Sequence, residues 1–191
     1  MPKLAVLVSG AGTNFEAILK YPLPVAFVIA DRECRALDMA IDARLPHLLL
    51  KRVFGKNFDR EKFTIDILGA LESSEIDAVA MAGFMTVLSP VIFTRYHGRI
   101  LNTHPSLLPN FKGGHAVEDA LRAGAKVTGC TIHIATAELD EGPIIAQQEV
   151  LILDGDTDET LHARIKNVEH ELYPKTIDAF LRRLPNRLSN L

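Results

Sequence analysis

Short, continuous apolar runs, separated by longer amphipathic ones, constrain this chain more than any other feature. Leu4–Val8, Val25–Ala30, His47–Leu50, Asp77–Met81 and Ile100–Thr103 read as five strands, the third of them weak. A strand with one wet face alternates polar and apolar residues. These runs hardly alternate, as expected of strands buried on both sides of a parallel sheet. Between them, Asn14–Lys20, Ala36–Ala43 and Arg60–Leu71 read as helices. In the last, Phe63, Ile67, Leu68 and Leu71 recur at spacings of three and four, which makes one apolar stripe. The β-α-β-α rhythm predicts an α/β fold, a mostly parallel sheet with helices on both faces.

After a helix at Ala116–Ala123 the pattern changes. Val127–Ile134 and Pro143–Ile152 are longer strand-like runs joined by a loop, and they predict a mixed or antiparallel extension of the sheet. A long helix closes the chain. Thr157 can cap it, and Asp158 and Glu159 in its first turn suit the positive end of the helix dipole. Leu161, Ile165, Val168, Leu172 and Ile177 are its expected buried stripe, and Pro174 is expected to kink or divide it. With no repeat, low-complexity tract or linker, one domain over residues 1–191 is the economical reading. The tail after Pro185 matches nothing useful.

Composition narrows the function classes. Hydrophobic residues make up 48% and charged residues 24%, enough apolar mass for a core. The net charge of -3 provides no whole-molecule field for nucleic acid or an anionic membrane. The two cysteines, Cys34 and Cys130, have no metal-ligand spacing and read as free, buried thiols. The run from Leu4 is too short for a signal-peptide core, and no run reaches the roughly 18 apolar residues that span a bilayer. A cytoplasmic protein is expected, one that binds neither nucleic acid nor membrane.

Two segments point to chemistry. Ser9-Gly10-Ala11-Gly12-Thr13-Asn14 joins the first strand to the first helix, where free N–H groups form an anion site. Gly10 and Gly12 also fit the start of a dinucleotide fingerprint, with Asp31 placed as its ribose-binding acid. The third glycine position, however, holds the bulky Phe15. Between a nucleotide cofactor and a simple phosphate the turn alone does not decide.

The second segment is Asn102-Thr103-His104-Pro105 at the end of the fifth strand, beyond whose carboxyl end ligands of open α/β sheets bind. Asn102 and His104 are two apart, so both side chains face one side. An amide there can donate to a developing oxyanion, and an imidazole can move a proton near neutral pH. Asp140, in the loop before Glu141-Gly142-Pro143, could orient His104 and raise its pKa. His115 and His133 are further candidates for supporting hydrogen bonds. The seven histidines show no metal spacing, and no metal is expected.

Taken together, LVSGAGTNFEAIL, DAVAMAGFMTVLSP, GRILNTHPSLLPNFKGGHA, ELDEGPII and NVEHELYP resemble the folate-dependent phosphoribosylglycinamide formyltransferases of purine synthesis. The likeness runs from residue 7 to residue 174. It implies a Rossmann-like formyltransferase fold and 10-formyltetrahydrofolate as co-substrate, with no metal. It implies a catalytic trio of Asn102, His104 and Asp140, a substrate-phosphate loop of Gly12, Thr13 and Asn14, and a ribonucleotide contact at Glu169. It also implies that Arg60 and Met85, Thr86, Val87 and Leu88 hold the folate, together with Asn102. Phe15 stands where the family usually has leucine, and Thr86 where a basic residue is common.

The implied reaction is attack of the amine of 5-phosphoribosylglycinamide on the formyl carbon, through a tetrahedral intermediate whose oxygen Asn102 and protonated His104 stabilise. Its expected partners are thus two small molecules. The alternatives are a formyltetrahydrofolate hydrolase, which would use similar residues with water as acceptor but whose relatives carry an extra N-terminal domain not expected here, and a non-catalytic nucleotide-binding module. A methionyl-tRNA formyltransferase would need a C-terminal RNA-gripping domain, also not expected, and the glycine turn alone leaves a dinucleotide oxidoreductase open.

Overall fold

In the computed structural model, which describes residues 2–53, 55 and 58–185, every residue of β1 (Leu4–Val8) is buried. That strand lies inside the sheet, parallel to β2 (Val25–Ala30) on one side and β4 (Ala78–Ala82) on the other. The strand β3 (His47–Leu49) extends the sheet beyond β2, and β5 (Ile100–His104) extends it beyond β4, both in parallel. Then β6 (Val127–Ile134) and β7 (Ile144–Leu151) add in antiparallel fashion, giving the order β3-β2-β1-β4-β5-β6-β7. The α/β reading and its mixed C-terminal extension both stand, with strand boundaries within one residue of those read from sequence.

Alternation along β1 divides the core. Leu4, Val6 and Val8 face a layer built from α1 (Thr13–Leu19), α2 (Arg35–Asp42), α5 (Ala116–Arg122) and α6 (Asp158–Arg183). Ala5 and Leu7 face the opposite layer, made by α3 (Arg60–Ser73) and α4 (Pro90–Arg95). Each fully buried Leu, Ile or Phe contributes roughly 1.5–3 kcal/mol by leaving water. Helix starts carry their own signals. The Asp59 carboxylate accepts from the Lys62 amide at 2.9 Å ahead of α3, and Thr157 and Thr160 form a reciprocal capping box ahead of α6. The short α4 has no counterpart in the sequence reading. Its six residues are too few to show a period, and only Ser89 and Pro90 mark its start.

Pro174 neither ends nor divides α6, which runs as one helix of 26 residues. Proline removes one helical hydrogen bond, but tertiary anchors on either side outweigh that loss. Ile177 is fully buried, and the Tyr173 hydroxyl lies 3.1 and 3.0 Å from the carbonyl oxygens of Met81 and Leu101. Leu161, Ile165 and Ile177 are buried as expected, whereas Val168 and Leu172 sit at the margin. The centre of the stripe belongs to Glu169 and Tyr173.

The strand order reverses between β1 and β4, so the ends of β1, β4 and β5 open side by side onto one crevice. Among the described residues no helix is long and apolar enough to cross a membrane. The tail after Pro185 lies outside the described residues.

Candidate active site

The turn after β1 is built around Gly12, which caps α1 with a left-handed φ of 76°. A Cβ there would sit 2.9 Å from the Ala36 Cβ, so both the conformation and the packing require glycine. Thr13 and Asn14 follow, half-buried, while Gly10 and Ala11 are exposed. Phe15, at the third glycine position of a dinucleotide fingerprint, is fully buried beneath α1. Asp31 is likewise unavailable to a ribose. It is fully buried and accepts from Arg32 Nε at 2.9 Å, Arg32 Nη2 at 3.1 Å and the Thr86 hydroxyl at 2.6 Å. Burial opposes its charge, but hydrogen bonds from Arg32, Thr86 and Ser9 outweigh that and hold its pKa below the ordinary carboxylate value. The dinucleotide reading loses its acid.

At the end of β5, Asn102 and His104 face one side of the sheet, as their spacing predicts. Opposite them on β6 are His133 and Thr131. His133 is buried, and its Nδ1 donates to the Ile134 carbonyl at 3.1 Å. That leaves Nε2 as an acceptor for Asn102 Nδ2 at 3.2 Å. Burial pushes the His133 pKa below the usual 6.5, only partly offset by the Ile134 carbonyl and the Asp140 charge. His133 is therefore neutral at pH 7, and it fixes which way the Asn102 amide points.

Asp140 stands between the two imidazoles. Its Oδ2 is 3.5 Å from His104 Nδ1 and its Oδ1 3.6 Å from His133 Nε2. It adopts a left-handed φ of 55° and accepts from the Gly113 amide at 2.8 Å. Behind it, Gly142 passes so close to β6 that a Cβ would lie 1.7 Å from the Ile134 carbonyl oxygen. His104 is buried, and its Nε2 donates to the Phe111 carbonyl at 2.8 Å. Asn102 and His104 on β5 thus meet Asp140, which comes from a loop distant in sequence, and His133 joins them.

On the other face of β5, the Thr103 hydroxyl donates to Glu169 Oε1 at 2.9 Å, and Asn14 Nδ2 to Glu169 Oε2 at 3.4 Å. Glu169 is buried, which raises its pKa against the hydrogen bonds from Thr103 and Asn14. One carboxylate therefore ties the glycine turn to β5 and α6.

A family model described as "Formyl transferase" matches residues 2–177. A Mycobacterium tuberculosis phosphoribosylglycinamide formyltransferase is 44% identical over 182 residues, covering 93% of this chain and 84% of that one. The chain belongs to the phosphoribosylglycinamide formyltransferase family. The crystal structure of the Bacillus halodurans phosphoribosylglycinamide formyltransferase superposes with a TM-score of 0.89 at 39% identity, covering 98% of this chain and 100% of that chain. The chain is also 38% identical over 182 residues to the human trifunctional purine biosynthetic protein adenosine-3, covering 92% of this chain and 18% of that larger protein.

In this formyltransferase, the segment the resemblance assigns to folate alternates in exposure. Met85 and Val87 are 65% and 55% exposed, whereas Thr86 and Leu88 are buried. The Thr86 hydroxyl turns inward to Asp31, so a folate contact from this residue would be made by its backbone. Arg60 is exposed on the first turn of α3. Its carbonyl accepts from the Thr64 hydroxyl at 2.7 Å, and that hydroxyl accepts from the Ser89 amide at 2.9 Å, which ties Arg60 to the same loop. His115 is exposed and paired with Glu118 on its own helix, apart from the hydrogen bonds of the cluster. Cys130 is buried, but Cys34 is only half-buried at the start of α2; both are free thiols.

Sequence reasoning gave Thr103 and Lys166 no role and read Cys130 only as a free, buried thiol. Lys166 lies one turn before Glu169, close enough for its charge to favour the carboxylate. Glu169 had a signal: it falls between Ile165 and Tyr173 in the middle of an apolar stripe, where a carboxylate needs a reason. Among the described residues no group of three or more His, Cys, Asp or Glu side chains gathers that could hold a metal ion.

Proposed function

We propose that this formyltransferase transfers the formyl group of 10-formyltetrahydrofolate to the amine of 5-phosphoribosylglycinamide in purine synthesis, as a single cytoplasmic domain over residues 1–191 whose partners are these two small molecules. The observation that carries the reading is the paired arrangement of Asn102 with His133 and His104 with Asp140 at the end of β5, next along the sheet to the Met85–Leu88 loop after β4 and the glycine turn after β1.

The residues at the donor side suit a folate. Met85 and Val87 present apolar surface at the end of β4, beside β5, as a flat heteroaromatic ring requires. When bound, the folate supplies the formyl carbon as an electrophile carried on nitrogen. Asn102 has one amide N–H on His133 and a second to offer the formyl oxygen as charge builds on it. His104 adds its Nε2–H to that oxygen by sharing or exchanging its bond to the Phe111 carbonyl. Asp140, 3.5 Å from Nδ1, supports the positive charge of the protonated ring. The proton lost by the attacking amine passes to the folate nitrogen, through water or His104, as the bond from that nitrogen to the formyl carbon breaks and the formyl group stays on the amine. Gly12, Thr13 and Asn14 hold the phosphate on the helix N-terminus, and Glu169 holds the ribonucleotide beside them.

The test is the absorbance change as 10-formyl-5,8-dideazafolate loses its formyl group, with and without 5-phosphoribosylglycinamide. Ribonucleotide-dependent turnover is expected. Equal turnover without it means a hydrolase, and none in either case refutes the assignment.

A further inference from the structure

β5 presents different chemistry on its two faces. Asn102 and His104 point toward the reacting centre, with His133 and Thr131 opposite them on β6. Thr103 points the other way, onto the face covered by α6, beside Ile132 and Cys130. There its hydroxyl has two neighbours: Glu169 Oε1 at 2.9 Å and Cys130 Sγ at 3.5 Å.

A hydroxyl has one proton to donate. The carboxylate, which accepts only, takes it. Cys130 must then donate its S–H to Thr103, and it is equipped to do so: burial pushes its pKa up to about 12, so the thiol keeps its proton across the working range. The relay runs one way, from Cys130 through Thr103 to Glu169. Asn14 Nδ2 serves the other carboxylate oxygen at 3.4 Å, and both donors are uncharged. Each takes one acceptor position on its oxygen and leaves a second for a ligand. Glu169 is buried, which opposes its charge, and among the described residues the charge of Lys166 one turn away also favours the carboxylate.

We propose that Thr103 is a positioning residue for the ribonucleotide site: backed by Cys130, it fixes the Glu169 carboxylate in its charged, ligand-accepting orientation while its two strand neighbours serve formyl transfer. The proposal rests on the reading that Glu169 contacts the ribonucleotide. It means that three successive residues of one strand serve both substrates, the outer two the transferred group and the middle one the acceptor.

Thr103→Val keeps the shape and removes the hydroxyl, Thr103→Ser keeps the hydroxyl, and Glu169→Gln tests the underlying reading. Steady-state kinetics with both substrates over a pH series provides the readout. A hydrogen bond to a charged group is worth enough that its loss weakens binding by roughly 10- to 100-fold. Thr103→Val is therefore expected to raise the ribonucleotide KM by about that factor, with the folate KM unchanged and kcat within about threefold. Loss of a donor to the carboxylate raises its pKa, so the acid limb of kcat/KM for the ribonucleotide must move to higher pH. Thr103→Ser should restore both. A mere packing role would not move the pH limb and would not be rescued by serine. If Glu169→Gln weakens ribonucleotide binding while Thr103→Val does not, the positioning role falls and the Glu169 reading survives. If Glu169→Gln leaves the ribonucleotide KM unchanged, both fall. Equal rises in both KM values for Thr103→Val overturn the proposal as well.

Discussion

His133 offers the sharpest test of how the site is set. Its Nε2 accepts from the Asn102 amide at 3.2 Å, and its Nδ1 is committed to the Ile134 carbonyl at 3.1 Å. His133→Leu removes the acceptor and lets the amide turn, which costs about 1 kcal/mol for a neutral hydrogen bond, or about fivefold in kcat. Asn102→Ala removes the proposed oxyanion donor itself and should cost roughly 100- to 1,000-fold. His133→Gln, whose side-chain oxygen can reach the place of Nε2, should fall within about threefold of the parent. Because His133 acts through Asn102, the Asn102→Ala, His133→Leu double variant should be no slower than Asn102→Ala alone.

The same geometry sets a pH dependence. Protonated Nε2 becomes a donor facing the Asn102 amide, so kcat should fall as pH drops through the depressed folded pKa of His133. The stability sign follows from proton counts. Between that folded value and 6.5 the unfolded chain binds the extra proton, so the fold loses stability as pH falls across this window and gains no further loss below it. Stopped assays of the parent and the four variants at saturating substrates, with thermal melts across the same pH range, read both effects. A double variant a further fivefold below Asn102→Ala, or equal losses for Leu and Gln at position 133, refutes the reasoning.

Gly142→Ala must move the loop that carries Asp140, since its Cβ would lie 1.7 Å from a backbone oxygen; a loss of about 1–3 kcal/mol in a denaturant melt, with lowered kcat, is expected. Asp31→Asn removes the charge that Arg32 grips in bidentate fashion; because the Arg32 side chain is 34% exposed and can turn to water, about 2 kcal/mol is expected, below the roughly 3–5 kcal/mol for breaking a fully buried pair. That stability is present above the unfolded value of 3.8 and disappears as pH falls through the lower folded pKa, which an acid-denaturation curve will show for the parent and not for the variant. A nicotinamide cofactor should give no thermal shift, because Phe15 fills the helix–sheet contact and Asp31 is fully committed; a saturable shift would restore the dinucleotide reading.

The sheet was legible because its signal is local. Runs such as Leu4–Val8 and Val25–Ala30 declare burial on both faces without reference to anything distant. Asn102 and His104 were legible for the same reason, being two positions apart on one strand end. Asp140 could be named only as a candidate. Its approach to His104 depends on the antiparallel return from β6 to β7, a register shift at Ile132/His133 and a left-handed backbone at residue 140. The inward turn of Thr86 depends on Asp31, 55 residues earlier, and cannot be read from the Met85–Leu88 string. Pro174 misled for a related reason: local propensity argues for a break, and the Tyr173 anchor on two strands overrides it. Thr103 was hidden by its neighbours, since only the placement of α6 over β5 and β6 gives its hydroxyl a partner.

The close pass of Gly12 against α2 has a consequence for how such a chain can drift. A Cβ on residue 12 would meet the Ala36 Cα at 3.0 Å as well as its Cβ, and the Ala36 amide donates to the Gly10 carbonyl at 3.1 Å. Positions 12 and 36 therefore share one small volume. A larger side chain at 36 would push on the glycine turn as directly as a mutation within it. Ala36 is none of the candidate site residues, yet its size is limited by the turn it packs against, and a larger side chain there should disturb the Gly12 turn even with glycine kept at position 12.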